Sequence, residues 1–176
     1  MQESPLIRGF QLFAGAIAFE CILATLAHAA EGKPTLASDF SDFVAVKIDL
    51  GPARQPDFRG RDRAYADYKT MIRQGIKAGP TFARKYSLIE IGCGAGCRKW
   101  LAVDLTTGHV RWLPVGGIGN PDLGLTYYVD SRLIDARWVD NGRCVRQKFT
   151  ITAGGFDRSE IDDIGAEDIC LEPDAK

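Results

Sequence analysis

Tyr86-Ser87-Leu88-Ile89-Glu90-Ile91-Gly92-Cys93-Gly94-Ala95-Gly96-Cys97-Arg98-Lys99-Trp100-Leu101-Ala102-Val103-Asp104-Leu105 is the stretch that decides the fold. Tyr86 to Ile91 is rich in β-branched and aromatic residues and reads as a strand, and Trp100 to Leu105 reads as the next. Between them Cys93 and Cys97 enclose only Gly94, Ala95 and Gly96. A bridge there closes a very small ring, which needs residues that accept positive φ, and the two glycines do. Two strands joined through a locked bend put the chain among antiparallel folds.

Working outward, Thr106-Thr107-Gly108-His109 reads as a tight turn from which Val110 to Leu113 returns as a hairpin partner. Residues 114–124 form a Gly/Pro loop, and Leu125 to Val129 is a further strand. Leu133 to Val139 and Cys144 to Thr152 flank Asp140-Asn141-Gly142-Arg143, and Asn-Gly is the strongest short hairpin signal. Toward the N-terminus, Gly79-Pro80 stops a helix from Arg63 to Lys77. Asp62 stands at its cap, and Tyr65, Tyr68, Ile72 and Ile76 make one apolar face. Residues 51–60 are a loop, Phe43 to Leu50 alternates as a strand would, and residues 31–42 read as an exposed arm. The expectation is an α+β fold, an antiparallel sheet of hairpins with one preceding helix, stabilised by disulfides. Residues 30–60 (arm, strand and loop) join residues 61–176 in one globular domain that ends in an acidic tail from residue 153.

Residues 1–29 have the layout of a cleaved secretory signal. Arg8 precedes an apolar run from Phe10 to Leu26, and Ala27-His28-Ala29 is the small-x-small pattern of a cleavage site. Cleavage after Ala29 or Ala30 removes Cys21 and leaves acids and bases in balance, with no stable membrane span. The expected location is periplasmic or secreted. Cys93, Cys97, Cys144 and Cys170 remain, and an even number in an exported chain implies disulfides. Cys93 with Cys97 and Cys144 with Cys170 is the favoured pairing. A four-thiolate zinc site and a redox-active Cys93/Cys97 pair are the alternatives.

The whole chain has 176 residues, net charge −1 and pI about 6.1, which excludes a general nucleic-acid binder working through a basic field. Glu90-Ile91-Gly92-Cys93-Gly94-Ala95-Gly96 matches the E-x-G-x-G-x-G motif of S-adenosylmethionine methyltransferases. That motif belongs at a strand-to-helix turn within a βαβ unit. Here strand-like residues follow, and Asp104 arrives too soon for a crossover helix to intervene. His109, the only histidine after residue 29, sits in a turn, so a Ser-His-Asp triad or a multi-histidine metal site is not expected. No catalytic residue, metal ligand or cofactor is assigned.

Phe82-Ala83-x-x-Tyr86, Gly92-Cys93-Gly94-x-x-Cys97, Val103-Asp104-x-x-Thr107-Gly108-x-Val110, Leu113-Pro114 and Asp130-Ser131-Arg132-Leu133 together resemble a group of small exported bacterial proteins. The resemblance spans residues 79–152 and implies fold and compartment; the group has no established activity. The chain is also similar, more distantly, to the periplasmic inhibitors of vertebrate lysozyme. Those carry a short disulfide-closed loop between strands, followed by a strand that Ala102-Val103 would match. Their loop presents polar and histidine side chains to the lysozyme cleft, whereas this one encloses Gly94, Ala95 and Gly96.

The alternating charges Asp130, Arg132, Asp135, Arg137, Asp140, Arg143 and Arg146 read as cross-strand ion pairs, and the acids Asp162, Asp163, Glu167 and Asp168 as a surface patch. Trp100, Trp112 and Trp138 lie on predicted strands and read as core. The functional expectation is a non-enzymatic envelope protein that binds a protein or glycan partner through Gly94, Ala95, Gly96 and Arg98. The alternatives are a thiol-disulfide enzyme using Cys93/Cys97 and, last, a methyltransferase.

Overall fold

Strand parity explains the layering. The structure, a computed structural model, describes residues 38–171, so the expected signal segment lies outside the described residues. β1 (Tyr86–Gly94), β2 (Cys97–Asp104) and β3 (Val110–Gly116) form an antiparallel sheet in that order. Leu88, Ala102, Leu113 and Val115 face one way, and Ile89, Ile91, Leu101, Val103 and Val110 face the other. Both faces are buried, which is why Leu101-Ala102-Val103 is apolar without a break. One face carries α2 (Lys69–Ala78) through Ile72 and Ile76. The other meets a second sheet.

That second sheet orders β4 (Gly124–Tyr127), β5 (Leu133–Asp140) and β6 (Arg143–Ile151). Two short strands, β7 (Phe156–Arg158) and β8 (Asp162–Ala166), then pair along the remaining edge of β6. Ile134, Ala136, Trp138, Val145, Phe149 and Ile151 face the first sheet in one shared core. The fold is α+β, mostly β: helix on sheet on sheet. The β5–β6 turn has both Asn141 (φ 49°) and Gly142 (φ 72°) in the left-handed region, as a two-residue type I′ turn requires. Gly75 allows α2 its close approach, because a Cβ there would stand 2.6 Å from Ile89 Cγ1.

Several expectations need correction. The expected antiparallel hairpins are present and divide between two sheets, and the tail beyond residue 153 supplies β7, β8 and a short helix α3 (Asp168–Leu171). The helix expected from Arg63 begins as a 3₁₀ segment, Arg63–Tyr68, and becomes α-helical only at Lys69. Asp62 makes no side-chain cap. Its carboxylate accepts instead from the backbone N–H groups of Asp57 (3.0 Å) and Val110 (3.1 Å), and from Arg61 Nη2 (2.9 Å). Phe43 to Leu50 is not a strand. Only Val44 makes an isolated bridge, to Ser131, and residues 46–50 form no backbone hydrogen bond among the described residues. β-propensity reports fitness for a pleated, half-buried surface, and beyond the Val44 bridge this segment pairs with no strand among the described residues. The arm is also less exposed than expected: α1 (Ser38–Ser41) buries Phe40 to 4% exposure, and Ser131 Oγ donates to the Phe40 carbonyl.

Candidate functional site

The bend that the two cysteines close is the tip of the β1–β2 hairpin. The register runs from Tyr86↔Asp104 to Gly92↔Arg98, then shifts so that Gly94 pairs with Cys97. Cys93 is the extra residue, a bulge that turns its side chain toward Cys97. The Cys93–Cys97 bridge spans a Cα–Cα distance of 5.1 Å across Gly94 (φ 129°) and Gly96 (φ 65°). Gly92 through Gly96 are exposed, while Cys97 is buried.

A second loop braces this tip. Gly117 N–H donates to the Arg98 carbonyl (2.7 Å), and Asp122 N–H donates to the Gly96 carbonyl (3.0 Å). Gly116 N–H is held by Asn120 Oδ1 (2.8 Å), and a Cβ at Gly116 would stand 2.8 Å from the Arg98 carbonyl oxygen. Val139 N–H donates to the Pro121 carbonyl (3.1 Å), which ties the same loop to the second sheet. Arg98 Nη1 donates to the Leu123 carbonyl (3.4 Å), and its Nε lies 3.6 Å from Glu90 Oε1, with half the side chain still exposed. Beside the tip Ile118 is 92% exposed. Gly94, Ala95, Gly96 and Arg98 therefore share one end of the sandwich with Ile118, a residue that sequence reasoning left inside a Gly/Pro loop. The contact between residues 96 and 122 is non-local, and no local signal announces it.

Cys144 and Cys170 form the second bridge, with Cys144 fully buried. The four cysteines are thus paired as two disulfides rather than gathered as zinc ligands, and among the described residues no cluster of three or more His, Cys, Asp or Glu is placed to hold a metal. β2 follows the E-x-G-x-G-x-G segment directly, so the strand-to-helix turn of a methyltransferase is absent there. His109 is half-buried in its turn, its N–H on Thr107 Oγ1 and its carbonyl on Asp104 N–H.

Two acids of the tail pair with arginines of β6. Arg143 grips Asp163 with Nε and Nη2 (3.0 and 2.9 Å), and Arg146 lies 3.7 Å from Asp162. The Arg143 hydrogen bond holds the Asp163 carboxyl below the ordinary value. Asp135, on the outer face of the second sheet, behaves oppositely. Burial pushes its carboxyl up, against Arg146, Arg137 and Lys148, and its Oδ1 is buried without a hydrogen-bond partner among the described residues. Among the tryptophans, Trp138 is core, and Trp100 packs on that core 5.9 Å from the Tyr127 ring. Trp112 sits under Lys99 Nζ (4.1 Å) and against Tyr65 and Tyr68.

The segments Phe82–Tyr86 and Asp130–Leu133, far apart in sequence, meet. Ala83 N–H donates to the Ser131 carbonyl (3.2 Å), Arg84 N–H to the Val129 carbonyl (2.7 Å), and the Arg84 guanidinium pairs with Asp130 at 2.7 Å. Ala83 (φ 45°) and Arg84 (φ 58°) are consecutive non-glycine residues in the left-handed region. No helix of the described residues is long and apolar enough to cross a membrane. The chain matches no family model, no curated protein and no solved structure.

Proposed function

We propose that this chain is an exported, periplasmic or secreted envelope protein that works by binding, not catalysis, and that its contact surface is the disulfide-closed tip with the loop beside it. The observation that carries the reading is the braced tip: Gly94-Ala95-Gly96 is exposed, locked by Cys93–Cys97, and pinned to a second loop that leaves Ile118 in water. A pre-ordered protrusion loses little conformational entropy on docking. Exposed backbone amides, an apolar side chain and the half-exposed Arg98 suit a protein or glycan partner. The two disulfides and the apolar segment before Ala29 support export.

A photo-crosslinking amino acid at Ala95 or Ile118 tests this in whole cells. Defined adducts from both positions, and none from the same probe at His109 at the opposite end of β2, are the expected result. Equal labelling from all three, or none from the tip, refutes it.

Unequal exposure of the two cysteines favours a second reading, thiol-disulfide exchange at Cys93 with Cys97 as the resolving thiol. Thiol counting under graded dithiothreitol tests it. One pair that opens well before the other supports exchange, whereas two bridges that resist together support a structural role.

A further inference from the structure

A cleft of about 290 Å³ lies between the arm and the sandwich, walled by Val46 and Ile48 on one side and by Tyr86 and Ile151 on the other. The arm crosses it as a strap. Ala45 N–H is fixed on the Asp130 carbonyl (2.8 Å) and Arg54 N–H on the Leu105 carbonyl (2.9 Å), and residues 46–50 between them form no backbone hydrogen bond among the described residues. Val46 is 75% exposed and Ile48 38%, so the strap holds apolar side chains in water above an apolar floor.

Two cations border the cleft, and they differ. Lys85 is engaged, its Nζ 2.7 Å from Asp104 Oδ2. Arg132 is half-buried, and its guanidinium has no carboxylate partner among the described residues. Its backbone is rigidly placed, the N–H on the Phe43 carbonyl (2.7 Å) and the carbonyl on Ile151 N–H (3.0 Å). The opposite wall includes Ala83, which with Arg84 holds the left-handed backbone described above. Non-glycine residues kept in that region are a local strain that recurs at ligand sites.

We propose that this cleft binds a small amphiphilic monocarboxylate, a medium-chain fatty acid, with its chain between Ile48, Tyr86 and Ile151 and its carboxylate on Arg132. One uncompensated guanidinium matches one negative charge and accepts a carboxylate through two parallel N–H···O bonds. A phosphate dianion needs a second free cation, and Lys85 is committed to Asp104. The volume lies at the small end of the ~300–1,000 Å³ usual for ligand clefts, which fits a short chain rather than a peptide. The inference is independent of the tip reading, since the two sites share no residue.

Titration calorimetry of the full mature chain with decanoate, kept below its micelle concentration, tests the proposal. Decanoate binds at one saturable site, decanol binds about tenfold more weakly or worse, and Arg132→Gln removes that difference while leaving decanol binding unchanged. Ile48→Asp, on the exposed strap where the core is untouched, weakens both ligands. No saturable decanoate binding, equal affinity for decanoate and decanol, or tighter binding of decyl phosphate than of decanoate overturns the assignment. Circular dichroism of both variants establishes that they are folded.

Discussion

Replacing Asp62 with alanine perturbs a carboxylate of 0% exposure that no apolar environment would tolerate unpaired. It locks the 57–62 loop onto the start of β3 by accepting from Asp57 N–H and Val110 N–H, with Arg61 closing the outside. Alanine leaves both backbone donors without an acceptor, one of them fully buried. At about 1–3 kcal/mol for each orphaned donor, with the part-buried Asp57 at the low end, the expected loss is about 3 kcal/mol. Asparagine keeps one acceptor and turns an NH2 group toward the second donor, so it rescues only part of that. Arg61→Ala costs much less, because the Arg61 side chain is half-exposed and water replaces it.

The pH dependence gives the prediction its sign. Burial pushes the Asp62 carboxyl up, but hydrogen bonds from Arg61, Val110 and Asp57 together outweigh it and hold the group below 3.8 in the folded protein. A depressed folded-state value means that the stabilisation is complete above 3.8 and lost as pH falls through the folded value. The difference between wild type and Asp62→Ala is therefore full at about pH 7 and shrinks as pH falls below 3.8 toward the folded value. Urea unfolding followed by tryptophan fluorescence measures it, with the m-value as the check on compactness. A loss under about 0.5 kcal/mol at neutral pH, or a difference that fails to narrow in acid, refutes the reasoning.

Removing the Cys144–Cys170 bridge by Cys144→Ser opens a ring of sequence separation 26 and costs about 3.5 kcal/mol in the loop-entropy account, read as a drop in the urea midpoint. Cys93→Ser opens a ring of separation 4, costs about 2 kcal/mol, and leaves amide exchange protection around Asn141-Gly142 unchanged. Gly75→Ala destabilises by about 1–2 kcal/mol in thermal unfolding despite the better helix former, because its Cβ meets Ile89 Cγ1 at 2.6 Å. Asp135→Asn stabilises by up to about 1 kcal/mol at neutral pH. Burial raises the Asp135 carboxyl above 3.8 in the folded state, so a net cost develops as pH rises from 3.8 to the folded value and is constant above it. The gain vanishes below 3.8, and its persistence there refutes the assignment.

Local signals made the hairpins legible. The Tyr86–Ile91 and Trp100–Leu105 runs, the glycine pattern between Cys93 and Cys97, and Asn141-Gly142 each determine backbone geometry within a few residues, and each is found in the structure. The second sheet and the tail strands were not legible, because they are decided by partners. Asp162-Asp163-Ile164-Gly165-Ala166 has poor strand composition, yet it pairs because β6 presents an open edge with Arg143 and Arg146 opposite its acids. Asp62 was misread for a related reason. A helix-start acid looks like a cap, and only the approach of Val110 from 48 residues away diverts its carboxylate. At the candidate site the tip was legible and its brace was not, since Asp122 and Gly96 meet only once both sheets are stacked.

The segment Phe43 to Leu50 joins these two lessons. Its apolar residues alternate only in part, and in the structure Ala45 turns inward while Val44, Val46 and Ile48 are exposed together with Lys47 and Asp49. The alternation predicts a strand, and the structure has none there: Val44 alone bridges, to Ser131, and the apolar side chains at 46 and 48 stand on a face that no strand covers among the described residues. What the pattern leaves open is which group covers that face. A neighbouring strand would have hydrogen-bonded residues 46–50, and among the described residues none does. Apolar side chains at the rim of an apolar cleft, on a segment anchored at Ala45 and Arg54 whose residues 46–50 make no backbone–backbone hydrogen bond among the described residues, suit a chain that carries its own charge to Arg132. Strand-like composition without strand pairing is thus the sequence-level mark of a ligand wall in this protein, and the decanoate titration addresses that wall directly.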